Sequence, residues 1–214
     1  MKEIVGNVFS IARDNEPVPG CTISKEITPG VVYFSLAAHT DISAEIHPYG
    51  KLLLVLSGRL EVFGQEPAVA VPAGYGVYVP AYRLVGMKAA EDTVYTEVQS
   101  KEEITMMNDV VKAGEVFKLA DLVPYRDGRI VNMDVLHNDT MKFVVMAFAA
   151  GTGLSEHAAP GDALIFALDG EAIIGYEGKQ YSIKAGEQFH FAKGGLHAVT
   201  AEKNFKMALL LVMD

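Results

Sequence analysis

Residues 143–170 read FVVMAFAAGTGLSEHAAPGDALIFALDG, and they align without a gap to residues 31–58, which read VVYFSLAAHTDISAEIHPYGKLLLVLSG. The offset between the two stretches is 112 positions (143 − 31), and the same register continues onward to Ala89. Identical turn residues recur at matched places, for example Gly58 over Gly170. A long ungapped match of this kind predicts two tandem copies of one domain.

Each copy has the pattern of short β-strands. In the second copy, runs rich in Val, Ile, Leu, Phe and Tyr, such as ALIFAL and EQFHFA, are separated by turns that contain Gly or Asp. Branched and aromatic side chains favour strands, and such turns join neighbouring antiparallel strands. Regularly spaced short strands without helical patterns between them predict an all-β sandwich or closed barrel.

The repeat also sets the predicted domain boundaries. The pentapeptide VFSIA, which begins at Val8, resembles VFKLA, which begins at Val116, so each copy starts with a similar segment. The most polar stretch between the copies lies before the second of these segments. The sequence predicts an N-terminal domain over residues 1–100, a linker over residues 101–115 and a C-terminal domain over residues 116–214.

Composition excludes several classes of partner. The net charge is −9, the pI is near 5.1, and no run of Lys and Arg has interleaved aromatic residues, so neither nucleic acid nor a membrane is an expected partner. Cys21 is the single cysteine, which rules out a disulfide within the chain. The start MKEIVGNVFS lacks the features of a signal peptide, and the apolar run of residues 207–213 is too short to cross a bilayer. We therefore expect a cytoplasmic protein.

Motif positions in the second copy carry a regular spacing: Gly151, His157, Ala159, Ala163 and Gly170, then Gly186, Ala192, Gly194 and His197. This spacing resembles that of the cupins, whose motifs are G-x5-H-x-H-x3-E-x6-G and G-x5-P-x-G-x2-H. The resemblance implies two RmlC-like jelly-roll domains, each a double-stranded β-barrel, and hence a bicupin with degenerate motifs. The pattern EHxxPxDA further resembles a group of small cupins of uncharacterised function.

The resemblance raises the question of whether the second copy binds a metal ion. In typical metal-binding cupins, three histidines and one glutamate hold Zn, Fe, Mn, Ni or Cu. Only His157 and His197 are kept at those positions, since the other two are alanines that cannot ligate a metal. A divalent metal in the C-terminal barrel would therefore need a completing ligand, for which His190 and Asp162 are candidates. Which face of its strand His190 occupies stays open, because strand side chains alternate between faces.

The matching positions of the first copy hold a vestigial site. Glu45 and His47 occupy the two histidine positions, Lys51 stands where the resemblance implies a glutamate, and Val85 replaces the last histidine. A lysine cation there opposes a metal cation. We expect Glu45 and Lys51 to form an ordinary salt bridge near the barrel mouth, and the first domain to be a structural or dimerising partner.

Two retained histidines at inward positions of an apolar barrel predict a pocket, because buried polar groups need partners. The first hypothesis is a protein that binds a small polar metabolite, a sugar or a carboxylate, in the C-terminal barrel. His157 and His197 would then donate or accept hydrogen bonds, and the candidate walls are aromatic: Phe166, Tyr176, Phe189 and Phe191.

Two other hypotheses remain open. One is an isomerase, lyase or dioxygenase that uses a bound divalent metal, or that uses His157 or His197 as a general base. The other is a structural barrel protein without catalysis. In each case we expect a homodimer, because paired apolar sheet faces favour association.

Overall fold

The computed structural model of the protein describes residues 5–64, 67–100 and 111–213. These residues form strands and one short 3-10 helix, Leu119–Asp121, and within them no helix is long and apolar enough to span a membrane. The predicted all-β class is confirmed. The strands are β1 (Val8–Phe9), β2 (Thr22–Thr28), β3 (Val31–Leu36), β4 (Thr40–Ile46), β5 (Gly50–Ser57), β6 (Arg59–Phe63), β7 (Val69–Pro72), β8 (Tyr75–Val79), β9 (Leu84–Ala89), β10 (Thr93–Ser100), β11 (Val116–Lys118), β12 (Ile130–His137), β13 (Met141–Phe148), β14 (Thr152–Ala158), β15 (Asp162–Tyr176), β16 (Lys179–Lys184), β17 (Gln188–Phe191), β18 (Leu196–Ala201) and β19 (Phe205–Val212).

The first compact unit comprises the described parts of residues 11–118. Its larger sheet has the strand order β11-β8-β5-β10-β3-β2, and its smaller sheet has the order β4-β9-β6-β7. Side chains from both sheets pack into one buried apolar cluster, with Leu53 and Val77 contributed by the larger sheet and Val62 and Val85 by the smaller. Alternate residues of β5, β6, β8 and β9 supply this cluster, as expected from side chains that alternate between the two faces of a sheet.

The second compact unit comprises residues 5–10 and 119–213. One of its sheets runs β1-β17-β15-β19-β13-β12, and β15 also pairs with β16 and β18, the latter bound to β14. The long strand β15 therefore belongs both to this sheet and to a second one with the order β14-β18-β15-β16. Its inward residues, among them Ala163, Ile165 and Ile174, join a buried cluster rich in aromatic rings.

A glycine allows the chain to pass between sheets at the same place in both units. Gly58 separates β5 from β6, and Gly170 lies inside β15, where each has a φ of +72°. A Cβ at Gly170 would collide with the carbonyl oxygen of Asn204, and one at Gly58 with that of Asp92. Since only glycine combines this φ with such a close approach, the repeat of this residue has a structural cause.

The two similar pentapeptides, which begin at Val8 and Val116, occupy equivalent places in the sheets of the two units. Strand β1 pairs with β17, where Val8 lies opposite Phe189, and β11 pairs with β8, where Val116 lies opposite Val77. Val8–Phe9 therefore belongs to the second unit, and Val116–Lys118 belongs to the first. The predicted boundaries at residues 100 and 116 remain predictions, and residues 101–110 of the predicted linker lie outside the described residues.

Candidate functional site

The two histidines retained at motif positions lie side by side in the second unit. His157 in β14 and His197 in β18 are opposite each other in the antiparallel pair, and their ring centroids are 4.2 Å apart at an angle of 51°. The register of this pair shifts between Leu154 and His157. This bulge matters because it sets which residues of β14 stand opposite β18.

Backbone hydrogen bonds fix the tautomer of both rings. Nδ1 of His157 lies 2.8 Å from the carbonyl oxygen of Ser155, and Nδ1 of His197 lies 3.1 Å from that of Gly195. A carbonyl oxygen only accepts, so each Nδ1 donates its hydrogen. In the neutral rings, Nε2 is then an acceptor with a lone pair, and among the described residues the hydrogen bonds of both rings are made by Nδ1.

The two rings differ in their exposure and charge. His157 is exposed, whereas only 7% of His197 is accessible to solvent. Burial lowers the pKa of His197; the hydrogen bond to Gly195 opposes this shift, and the neighbouring His157 adds a smaller lowering. His197 is therefore neutral at neutral pH and presents an acceptor nitrogen rather than a charge.

Aromatic rings fill the interior behind this pair. Phe191 stacks on His197 with centroids 4.2 Å apart, Phe189 lies 4.9 Å from Phe191, and Tyr176 lies 5.4 Å from Phe191. Phe189 and Phe191 are fully buried, and the Tyr176 hydroxyl accepts a hydrogen bond from the backbone of Ala192 at 3.4 Å. Of these three predicted wall residues, Phe191 contacts the histidine pair directly, whereas Phe189 and Tyr176 pack against Phe191 behind it.

Phe166, the fourth predicted wall residue, lies on the other face of the sheet. Its neighbours in β15, Ile165 and Ala167, point into the core cluster, and its own ring packs edge-on against Phe143 at 6.5 Å. The structure does not bring it to the histidine pair, because side chains alternate along a strand.

The predicted completing ligands do not join the pair. His190 lies between Phe189 and Phe191, which both point into the core, so alternation places it on the opposite face of β17. Asp162 precedes the inward Ala163, and its carboxylate accepts a hydrogen bond from the backbone of Lys193 at 3.1 Å.

The donor set of the second unit does not fit a tightly held metal. The two remaining motif positions, Ala159 and Ala163, are buried and offer no lone pair. Across the described ranges, no group of three or more His, Cys, Asp or Glu side chains is arranged to hold a metal ion. Two imidazoles alone fall short of the three or four protein ligands of usual sites.

In the first unit the predicted salt bridge between Glu45 and Lys51 is wrong. Glu45 instead lies 3.7 Å from Nε2 of His47, and Nζ of Lys51 lies 3.1 Å from the carboxylate of Glu97. Both members of the second pair are buried, and Gln99 donates a further hydrogen bond to Glu97 at 2.8 Å. Lys51 points inward from β5 and needs an interior anion.

Glu97 is a residue that the motif comparison missed. It lies in β10, in the otherwise uncharged and mostly buried run TVYTEVQS, and a charged residue in such a strand is the available signal for a buried partner. The pKa of Tyr95 is raised, mainly by burial and further by the Glu97 carboxylate.

Comparison with known proteins identifies the fold. The cupin domain family model matches residues 144–213. A cupin 2 conserved barrel domain protein from Leptotrichia buccalis superposes with a TM-score of 0.88 at 28% identity, with 99% of this chain and 98% of that chain covered. The chain is a cupin-fold protein. The predicted cupin jelly-roll fold is thereby confirmed, and the predicted cupin resemblance is confirmed over residues 144–213.

Enzymes with the cupin fold also superpose, at low identity. Salicylate 1,2-dioxygenase from Pseudoaminobacter salicylatoxidans has a TM-score of 0.68 at 11% identity, with 89% of this chain and 75% of that chain covered. Oxalate decarboxylase from Bacillus subtilis, which has Mn(II) centres, has a TM-score of 0.57 at 12% identity, with 99% and 78% covered. These likenesses concern the fold alone. No curated protein sequence matches the chain.

Proposed function

We propose that the protein is a bicupin that binds a small polar metabolite of the sugar class in its C-terminal unit, through His157 and His197. The observation that carries this proposal is the pair of adjacent imidazoles whose hydrogen bonds among the described residues are made by Nδ1, which leaves each Nε2 as an acceptor. Because His157 is exposed and the rings behind the pair are packed, the metabolite would lie at the surface of the unit, beside His157.

The bicupin proposal rests on matched registers. Strands β4 and β14 begin and end 112 positions apart (152 − 40 and 158 − 46). The pairing of Lys51 with Val79 corresponds at the same offset to the pairing of Ala163 with Phe191. We infer an internal duplication in which both copies have lost motif ligands.

Among polar metabolites, the neutral state of His197 favours a hydroxyl-bearing ligand over a carboxylate. Two acceptor nitrogens on neighbouring rings match two hydroxyl hydrogens of a sugar. A carboxylate is acceptor-only above its pKa, so it has no hydrogen to offer to a neutral Nε2. A carboxylate would bind only at a pH low enough to protonate His197.

The test is a thermal-shift and titration screen of neutral sugars and of dicarboxylates against the wild type. We expect a neutral sugar to stabilise the protein at pH 7.5 and dicarboxylates to have no effect. His157→Ala and His197→Ala should each weaken sugar binding by roughly 2–10-fold, the equivalent of one hydrogen bond of about 0.5–1.5 kcal/mol. His47→Ala in the first unit is the matched control and should bind as the wild type does. Tighter binding of dicarboxylates than of sugars would refute the sugar class.

The alternative is a divalent-metal-dependent enzyme of the isomerase, lyase or dioxygenase type. The cupin fold includes Mn(II) enzymes, which keeps a metal chemically reasonable for the fold. The two-histidine donor set argues against it here, and we expect ligand binding to survive a chelator.

We also propose that the protein is a homodimer. Exposed apolar side chains at the edge of β4 and β9, Ile46 and Leu84, support an association surface. Light scattering should give twice the 23.1 kDa chain mass, and a monomeric mass would contradict the proposal.

A further inference from the structure

The first unit contains a cavity of about 250 Å³. Apolar side chains dominate its lining, among them Val62, Val77, Val79 and Val85 of the buried cluster. Glu115 is the one charged side chain that the described lining includes, and it is exposed. The cavity is therefore an apolar space between the sheets with a polar rim.

Matched positions in the two units explain why the first unit has this space. Val77 and Val79 of β8 pair with β5 as Phe189 and Phe191 of β17 pair with β15, at an offset of 112 positions (189 − 77). At the same offset, Val69 corresponds to Tyr181, whose ring packs against Phe189 at 5.2 Å. Three rings that fill the second unit are thus valines in the first.

Side-chain size at these positions has opposite consequences in the two units. In the second unit the rings of Tyr181, Phe189 and Phe191 form a continuous packed set. In the first unit, valines take these positions and border the cavity, although protein interiors normally keep few voids larger than a water molecule. An apolar space of this kind, a little smaller than the usual ligand pockets of about 300–1,000 Å³, suits a small ligand.

We propose that this cavity binds a small, neutral, mostly apolar molecule, about the size of a single substituted aromatic ring. An apolar cavity of roughly 150 Å³ holds benzene, so about 250 Å³ accommodates one ring with a short substituent. A charged ligand is disfavoured, because the valine lining offers nothing to replace its hydration. The site is separate from the histidine pair and takes a different class of ligand.

The experiment titrates fluorobenzene, followed by fluorine NMR, into the full chain. We expect saturable binding of one molecule per chain. The variant Val77→Phe/Val79→Phe carries the residues of the second unit at the matched positions, and its affinity should fall at least tenfold. His197→Ala is the control and should bind fluorobenzene as the wild type does. Absence of saturable binding, or equal binding by the filled variant, would overturn the proposal.

A second measurement keeps the test decisive if the filled variant does not fold. In the wild type with methyl-labelled valines, saturating fluorobenzene should shift the methyl signals of Val62, Val77, Val79 and Val85. Shifts confined to valines of the second unit, such as Val199, would place the ligand elsewhere and refute the assignment.

Discussion

The buried pair of Lys51 and Glu97 gives the sharpest stability prediction. Only 5% and 1% of these side chains are exposed, so water cannot solvate Glu97 if its cation is removed. Truncation of one partner in a buried ion pair typically destabilises a protein by about 3–5 kcal/mol. We expect this loss for Lys51→Met, measured by urea denaturation at pH 7.

Two further variants make the prediction specific. The double variant Lys51→Met/Glu97→Gln removes both charges and should recover most of the loss, because the penalty comes from the orphaned carboxylate. The control is Lys88→Met in the same unit, where Lys88 pairs with Glu61 at 2.9 Å with 50% and 41% exposure. That exposed pair should contribute about 0.2–1 kcal/mol. Equal losses in Lys51→Met and Lys88→Met would refute the reasoning.

Further predictions concern His197 and the glycine turns. Because burial lowers the pKa of His197, the unfolded chain binds more protons at this residue than the folded chain does. The contribution of His197 to stability is therefore fully present above its ordinary pKa of 6.5 and is lost as pH falls through the folded pKa. Urea titrations from pH 5 to 8 should show this slope in the wild type and a smaller one in His197→Gln, and equal slopes would contradict it. Gly170→Ala should destabilise by more than the about 1–2 kcal/mol of left-handed strain, because its Cβ also meets Asn204. Gly186→Ala, at a φ of +87° in open space, should show the strain alone, and calorimetry of the two variants would disprove this if their losses were equal.

The sequence predicted the histidine pair because motif spacing is a property of the strand register. Residues at fixed separations on antiparallel strands meet wherever the turns between them are kept, as happens for His157 and His197. The sequence could not show in this way which face of its strand His190 or Phe166 occupies. Strands β15 and β17 are buried on both faces over these residues, so their sequences lack the alternation that reveals orientation.

The interior of the first unit was harder to predict for a related reason. The partner of Lys51 lies in β10, far along the chain, and no local pattern links it to Glu97. The cavity likewise depends on a comparison of side-chain volumes at matched positions, which becomes meaningful once the register of β5 with β8 is known. Motif ligands alone suggested a merely structural domain.

The most direct test of metal-free sugar binding is a calorimetric titration, in EDTA, of the neutral sugar that stabilises the protein best. We expect the same saturable isotherm with and without the chelator, and binding weakened roughly 4–100-fold in His157→Ala/His197→Ala, the product of the two single losses. A wild-type isotherm that disappears in EDTA, or an unchanged affinity in the double variant, would contradict the claim.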